Sequence, residues 1–179
     1  MWALPKLSAQ NGILRGVFGN WIWSVWGQAQ SGDPFTATAG GTDLSHTGIG
    51  QDRAQTVAGQ NPYGSGACTA AKITTPCVDY LNVSAFTQPA AGTFGNAVKD
   101  ALVGPGLFSW DMGLIKNLPF SEKWHAQFRA EFFNVFNRAN FNNLTNANNP
   151  TNRRNSKNFG TIISAQDPRI GQVALKIIF

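Results

Sequence analysis

A period-two alternation of apolar and polar residues runs through this chain in segments long enough to restrict it to extended structure. From Trp124 to Asn137 one face reads Trp124, Ala126, Phe128, Ala130, Phe132, Asn134 and Phe136, and the other reads His125, Gln127, Arg129, Glu131, Phe133, Val135 and Asn137. Successive strand side chains point to opposite faces, so one face of this segment is predominantly apolar and the other predominantly polar. Phe108, Trp110, Met112 and Leu114 alternate in the same way with Ser109, Asp111 and Gly113, and Ile115 and Lys116 break the pattern. Near the end of the chain Gly171, Val173, Leu175, Ile177 and Phe179 share one face, with Gln172 and Lys176 on the other. Around Trp21, Trp23 and Val25 both faces are apolar. Residues 1–4 have the composition of the cut end of a further strand.

Composition agrees with strands joined by turns. Charged residues are 13% of the chain, well below the usual share of about 25%, while Gly (19), Asn (17) and Phe (13) are abundant. A helical bundle would be rich in Ala, Glu, Lys and Leu, and a disordered chain would be poor in aromatics. The net charge of +5 comes from scattered basic residues, with only Arg153, Arg154 and Lys157 clustered, so no nucleic-acid partner is expected.

The connections alternate in length. Residues 5–19 and 119–123 are short, while 32–106 and 139–168 are long. Transmembrane barrels of the outer membrane have short periplasmic turns and long external loops, and about 9 to 11 tilted residues cross the hydrocarbon. The predicted fold is therefore all-β: antiparallel up-and-down strands near 1–5, 20–31, 107–118, 124–138 and 169–179, the last four or five strands of a large transmembrane β-barrel with long extracellular loops. On that reading Trp110, Met112, Leu114, Ala126, Phe128, Ala130, Phe132, Val173, Leu175 and Ile177 face lipid, and Asp111, Gln127, Arg129, Glu131, Gln172 and Lys176 face the lumen. Trp110 and Trp124, near strand ends, suit the interfacial girdle better than sugar stacking. The Asn-rich run from Asn140 to Asn158 is expected to be a solvated loop.

Residues 16–27, after Lys6 and Arg15, imitate the apolar part of a secretory signal, but three Trp and an Asn make a poor apolar core. No export signal of the chain's own is expected. Cys68 and Cys77 lack a second Cys pair or a nearby His for zinc, and a loop disulfide between them is the preferred reading. Arg129 and Glu131 find no nucleophile or second carboxylate that would make a catalytic set, and His125 has no metal-binding partner. No enzyme activity, metal or cofactor is expected.

Several motifs, in order, resemble the closing strands of TonB-dependent outer-membrane receptors of the Oar-like type. They are Gln30-Ser31-Gly32-Asp33-Pro34-Phe35, Phe94-Gly95-Asn96, Gly104-Pro105-Gly106, Trp110-Asp111, the run Arg129 to Asn137, and Asp167-Pro168-Arg169 followed by Ala174 to Phe179. The resemblance implies a barrel of 22 strands with an N-terminal plug. This chain would supply only the closing strands and surface loops, with no plug domain and no transport by itself. It also implies as partners outer-membrane lipid, the remainder of the barrel and plug, the barrel-assembly machinery through a terminal signal at Phe179, and the TonB complex through the missing N-terminal part. The rival reading is a secreted β-rich binding or adhesion module whose apolar faces pack sheet against sheet.

Overall fold

The computed structural model describes residues 2–3, 16–41, 43–48, 50–66, 78–119, 124–145 and 152–178. Cys68, Cys77 and Phe179, and with them the expected disulfide and assembly signal, lie outside the described residues.

The strands in chain order are β1 (Trp2–Ala3), β2 (Trp21–Gln30), β3 (Pro34–Phe35), β4 (Gln55–Thr56), β5 (Val78–Asp79), β6 (Phe86–Thr87), β7 (Leu102–Val103), β8 (Leu107–Pro119), β9 (His125–Phe133), β10 (Thr161–Ile162) and β11 (Ile170–Ile178). Five of them form one sheet in the order β1-β2-β8-β9-β11. Its pairings β1–β2, β8–β9 and β9–β11 are antiparallel. Between β2 and β8, Asn117 N donates to Asn20 O while the Ser24 hydroxyl donates to Gly113 O. One strand ascends as the other descends, so this pair is antiparallel too. Three two-stranded ladders complete the β structure: β3 with β7, β4 with β6 and β5 with β10.

The chain divides into two compact units. The sheet unit comprises Met1–Ala29, Phe108–Ala139 and Asp167–Phe179; the loop unit comprises Gln30–Leu107 and Asn140–Gln166.

The described residues of 32–106 and 139–168 carry short ladders and a core of their own, where the sequence expectation was of long loops. The loop unit has its own core of Phe35, Ala37, Ala54, Leu81, Ala85, Phe86, Ala97, Leu102, Leu144, Phe159 and Ile162. Phe86 and Phe159 meet edge to face at 5.6 Å between centroids, a preferred aromatic geometry. The Asn-rich run is likewise built into structure rather than solvated throughout. Asn140 is buried and its carbonyl accepts from Gln166 N, while Asn152 N donates to Leu144 O and its side-chain amide to Thr36 O. Such bonds satisfy backbone groups that a short, irregular chain cannot pair in ladders.

The entry to this unit explains two of the glycine motifs. A Cβ placed on Gly32 would lie 1.7 Å from Gly104 O, and one on Gly106 would lie 2.9 Å from Gln30 O. Any side chain at position 32 would separate the two chains, and β3 could no longer pair with β7 just beyond.

β9 also ends earlier than expected, at Phe133 rather than near residue 138. Asn134 adopts φ +47° and Asn137 φ +51°, the left-handed region that Asn tolerates better than most residues. Met112 pairs with Phe132, whereas Val135 N donates to Trp110 O, so one extra residue is inserted against β8 at Asn134. The Asn134 amide donates to Arg138 O and Asp167 O and accepts from Arg138 N, and Asn137 Oδ1 accepts from Arg169 N. These bonds replace the ladder and tie the end of β9 to the chain entering β11.

Candidate functional site

In an antiparallel pair, residues directly opposite share a face. The registers Met112↔Phe132, Leu114↔Ala130 and Leu118↔Ala126 therefore place these residues on one face. The registers Ala130↔Val173, Phe128↔Leu175 and Ala126↔Ile177 extend that face to β11. Trp110 belongs to it by strand parity. The face is bare where β11 contributes: Val173 is 68% exposed, Leu175 64% and Ile177 58%. Ala126 is the exception at 5% exposed, because its methyl stands between the larger Leu118 and Ile177 on the neighbouring strands.

The other face carries Arg129, Glu131, Gln127 and His125 on β9 and Gln172 and Lys176 on β11. Arg129 and Glu131 form an ion pair at 3.2 Å, and Gln172 Nε2 donates to the same carboxylate. The Gln127 amide donates to Asn117 Oδ1 at 3.0 Å. Asp111 accepts from Asn134 N, which couples the polar face to the inserted residue that ends β9. The polar side chains thus satisfy one another in three separate groups: Arg129, Glu131 and Gln172; Gln127 and Asn117; and Asp111 with the backbone of Asn134.

Ile115 and Lys116 break the pattern of polarity, as expected, but not the strand, which runs on to Pro119. Ile115 lies opposite Arg129, on the polar face, and Lys116 lies opposite Phe128, on the apolar one. Lys116 is only 5% exposed. Its ammonium donates to the carbonyls of Val17 and Gly19 and sits 5.1 Å from the centroid of the Trp21 ring. The aliphatic stem covers apolar surface while the charge reaches carbonyls at the strand's end.

At the opposite end of β8, Phe108, Trp110 and Phe136 form an aromatic cluster with centroid separations of 6.2 to 6.5 Å, and the Arg138 guanidinium lies 5.3 Å from the Phe108 ring. The Trp110 indole lies over Gly27, where a Cβ would come within 2.8 Å of the ring. The aromatic ring covers the backbone that glycine leaves bare. Sequence reasoning did not find this cluster as a unit, nor the Lys116 cap, because both depend on cross-strand neighbours.

In the loop unit, Asp43 accepts from Gly48 N, Thr47 N and the Ser45 hydroxyl, and the backbone bonds from Gly48 and Thr47 hold its carboxyl below the ordinary carboxylate value. The Ser45 amide donates to Asp52, and its single hydroxyl proton is shared between Asp43 Oδ1 at 3.2 Å and Asp52 Oδ1 at 2.8 Å. Tyr80 donates its hydroxyl to Val103 O, and burial, with a smaller contribution from neighbouring Tyr63, pushes its phenol up. Among the described residues no group of three or more His, Cys, Asp or Glu is placed to hold a metal ion.

Two facts decide the class: a sheet with one apolar and one polar face, and a match of residues 1–172 to the family model described as outer membrane beta barrel domain. The chain belongs to this family. No curated protein and no solved structure matches it significantly. Outer membrane beta-barrel domains cross lipid with strands, whose backbone groups pair with neighbouring strands. Among the described residues no helix is long and apolar enough to cross a membrane. The protein resides in the outer membrane.

Proposed function

We propose that the chain forms the closing strands and surface loops of a TonB-dependent receptor of the Oar-like type, whose complete polypeptide takes up or binds a ligand at the cell surface. The observation that carries this reading is the two-faced sheet: Val173, Leu175 and Ile177 lie on an exposed apolar face shared with Phe128 and Ala130, while Arg129, Glu131 and Gln172 are bonded together on the other. The apolar face would meet lipid, the polar face the lumen and plug, and the loop unit the exterior. The chain carries no catalytic step in this reading.

Strand direction supports completion by another part of the same polypeptide. Five antiparallel strands are fewer than the eight of the smallest usual barrel, and with this strand order β1 and β11 run in the same direction. Copies arranged head to tail in a ring would meet in parallel at every junction. Two-fold pairing of like edges would turn the second copy upside down in the membrane. An odd number of further strands meets both edges antiparallel. In this reading the partners are the assembly machinery, acting on Phe179, and the TonB complex, acting through a plug-bearing N-terminal region.

The test is cellular fractionation of the tagged chain together with the length of its transcript. A long reading frame with a plug-sized N-terminal region, and a heat-modifiable outer-membrane product that crosslinks to TonB through that region, are expected. A short transcript, or a product that does not crosslink to TonB, would overturn the receptor assignment.

A further inference from the structure

A polar cleft of about 150 Å³ opens in the loop unit, beside the Gly32–Gly104 contact. Gln30, Asp33, Asn142, Asn143 and Gln166 line it together with Phe141. It brings the Gln30 to Phe35 and Gly104 to Gly106 motifs beside the Asn-rich segment, which share the loop unit's core through Phe35, Leu102 and Leu144. The walls are fixed. β3 pairs with β7, Gly104 N donates to Asp33 O, Asn142 N donates to Ser164 O, and Gln166 N donates to Asn140 O.

We infer that this cleft binds one neutral sugar ring of a glycan. Four of the lining side chains are amides, a group that both donates and accepts as a sugar hydroxyl does; Gln30 Nε2 already donates to Asp33 Oδ1 and Asn142 Nδ2 to Ser164 Oγ, which orients those two amides. The Asp33 carboxylate can accept from two neighbouring hydroxyls. Phe141, 38% exposed, supplies an apolar surface for a C–H face. At the wall, Asn143 Oδ1 is buried without a hydrogen-bond partner. A buried acceptor left unmade is costly, and a ligand hydroxyl donating to it would remove that cost. The size favours a single ring, because pockets for drug-sized ligands are about 300 to 1,000 Å³.

Other ligand classes fit less well. Among the described residues no Lys, Arg or His lines the cleft, and Asp33 would repel an anion. One carboxylate is too few for a hard cation, which takes several charged oxygens. The polar walls would be desolvated without compensation by an apolar ligand.

The inference extends the receptor reading to a ligand class but is tested separately, since binding by the chain in detergent needs neither TonB nor an energised membrane. Saturation-transfer NMR would be run on the complete polypeptide, with its barrel closed, in detergent with methyl glycosides of glucose, galactose, mannose and N-acetylglucosamine. Transfer to the ring protons of at least one glycoside is expected, with a Kd on the order of 1 mM. Asn143→Ala and Asp33→Ala should each weaken it at least about tenfold, a change of about 1.4 kcal/mol. Lys99→Ala, outside the cleft, should leave binding unchanged. Should Asn143→Ala prevent folding, Asp33→Ala and Gln166→Ala, both at exposed side chains, decide the question. No transfer to any of the four glycosides from folded chain, or transfer that survives both Asp33→Ala and Gln166→Ala, overturns the site.

Discussion

Two adjacent residues test whether the sheet's faces meet lipid and lumen. β11 runs from Ile170 to Ile178, with Ala174 at its middle. At about 3.4 Å per residue and a tilt of about 45°, each residue changes depth by about 2.4 Å. Val173 then lies within about 2.4 Å of the midplane when the strand is centred in the bilayer. It is 68% exposed and opposite Ala130, too small to shelter a guanidinium. Val173→Arg should cost about 2 to 4 kcal/mol, the range for Arg on the lipid face at that depth. This is a change of roughly thirtyfold to a thousandfold in the folding equilibrium at 1.36 kcal/mol per decade. Gln172 faces the other way, opposite Glu131, so Gln172→Arg adds an opposite-charge pair and should change stability by no more than about 1 kcal/mol, in the favourable direction. The assay is urea unfolding, in lipid vesicles, of the complete polypeptide in which the barrel is closed, followed by tryptophan fluorescence. Equal costs for the two substitutions, or no cost for Val173→Arg, would refute the assignment of faces.

Three further outcomes follow from the geometry. Asn134→Ala removes a buried amide with three hydrogen bonds at φ +47° and should destabilise the protein by about 2 to 4 kcal/mol, with Asn134→Gly about 1 kcal/mol milder because glycine relieves the backbone strain; urea midpoints that rank Ala above Gly would contradict this. Lys116→Met leaves the carbonyls of Val17 and Gly19 without their charged donor and should cost about 1 to 3 kcal/mol, part of which Lys116→Arg should recover; a more stable Met variant would exclude the capping role. Because its bonds lower the Asp43 pKa, its contribution is complete above the unfolded carboxyl's value of 3.8 and is lost as pH falls through the lower folded value, so Asp43→Asn should reduce the fall in melting temperature between pH 6 and pH 2.5; an unchanged fall would show that Asp43 is not the titrating group.

The faces of the sheet were legible in the sequence because parity requires only a count. Once Met112 pairs with Phe132, every second residue of β8 and β9 is placed, including Ile115 and Lys116, whose chemistry disguised their positions. The end of β9 was not legible. Phe136 and Asn134 continue the apolar face on paper, yet Asn134 takes positive φ and its amide bonds to Arg138 and Asp167. Local alternation cannot register the competition between one more ladder pair and a set of side-chain bonds to residues much later in the chain.

The loop unit was hidden for a related reason. Its core is assembled from single apolar residues set in polar runs: Phe35, Leu81, Phe86 and Phe159 lie in four different stretches of chain, and none has a periodic neighbour that marks a strand. Their meeting depends on long-range pairs such as Thr161↔Asp79 and Ile162↔Val78. Arg154 joins the two long connections as well, donating to Phe86 O while its guanidinium lies over Phe159. The closely spaced Asn residues that looked like solvated filler supply hydrogen bonds that irregular strands of two residues cannot. The same constraint places amides and glycines together beside Asp33, so the residues that let two long connections share one core also build the wall of the sugar cleft.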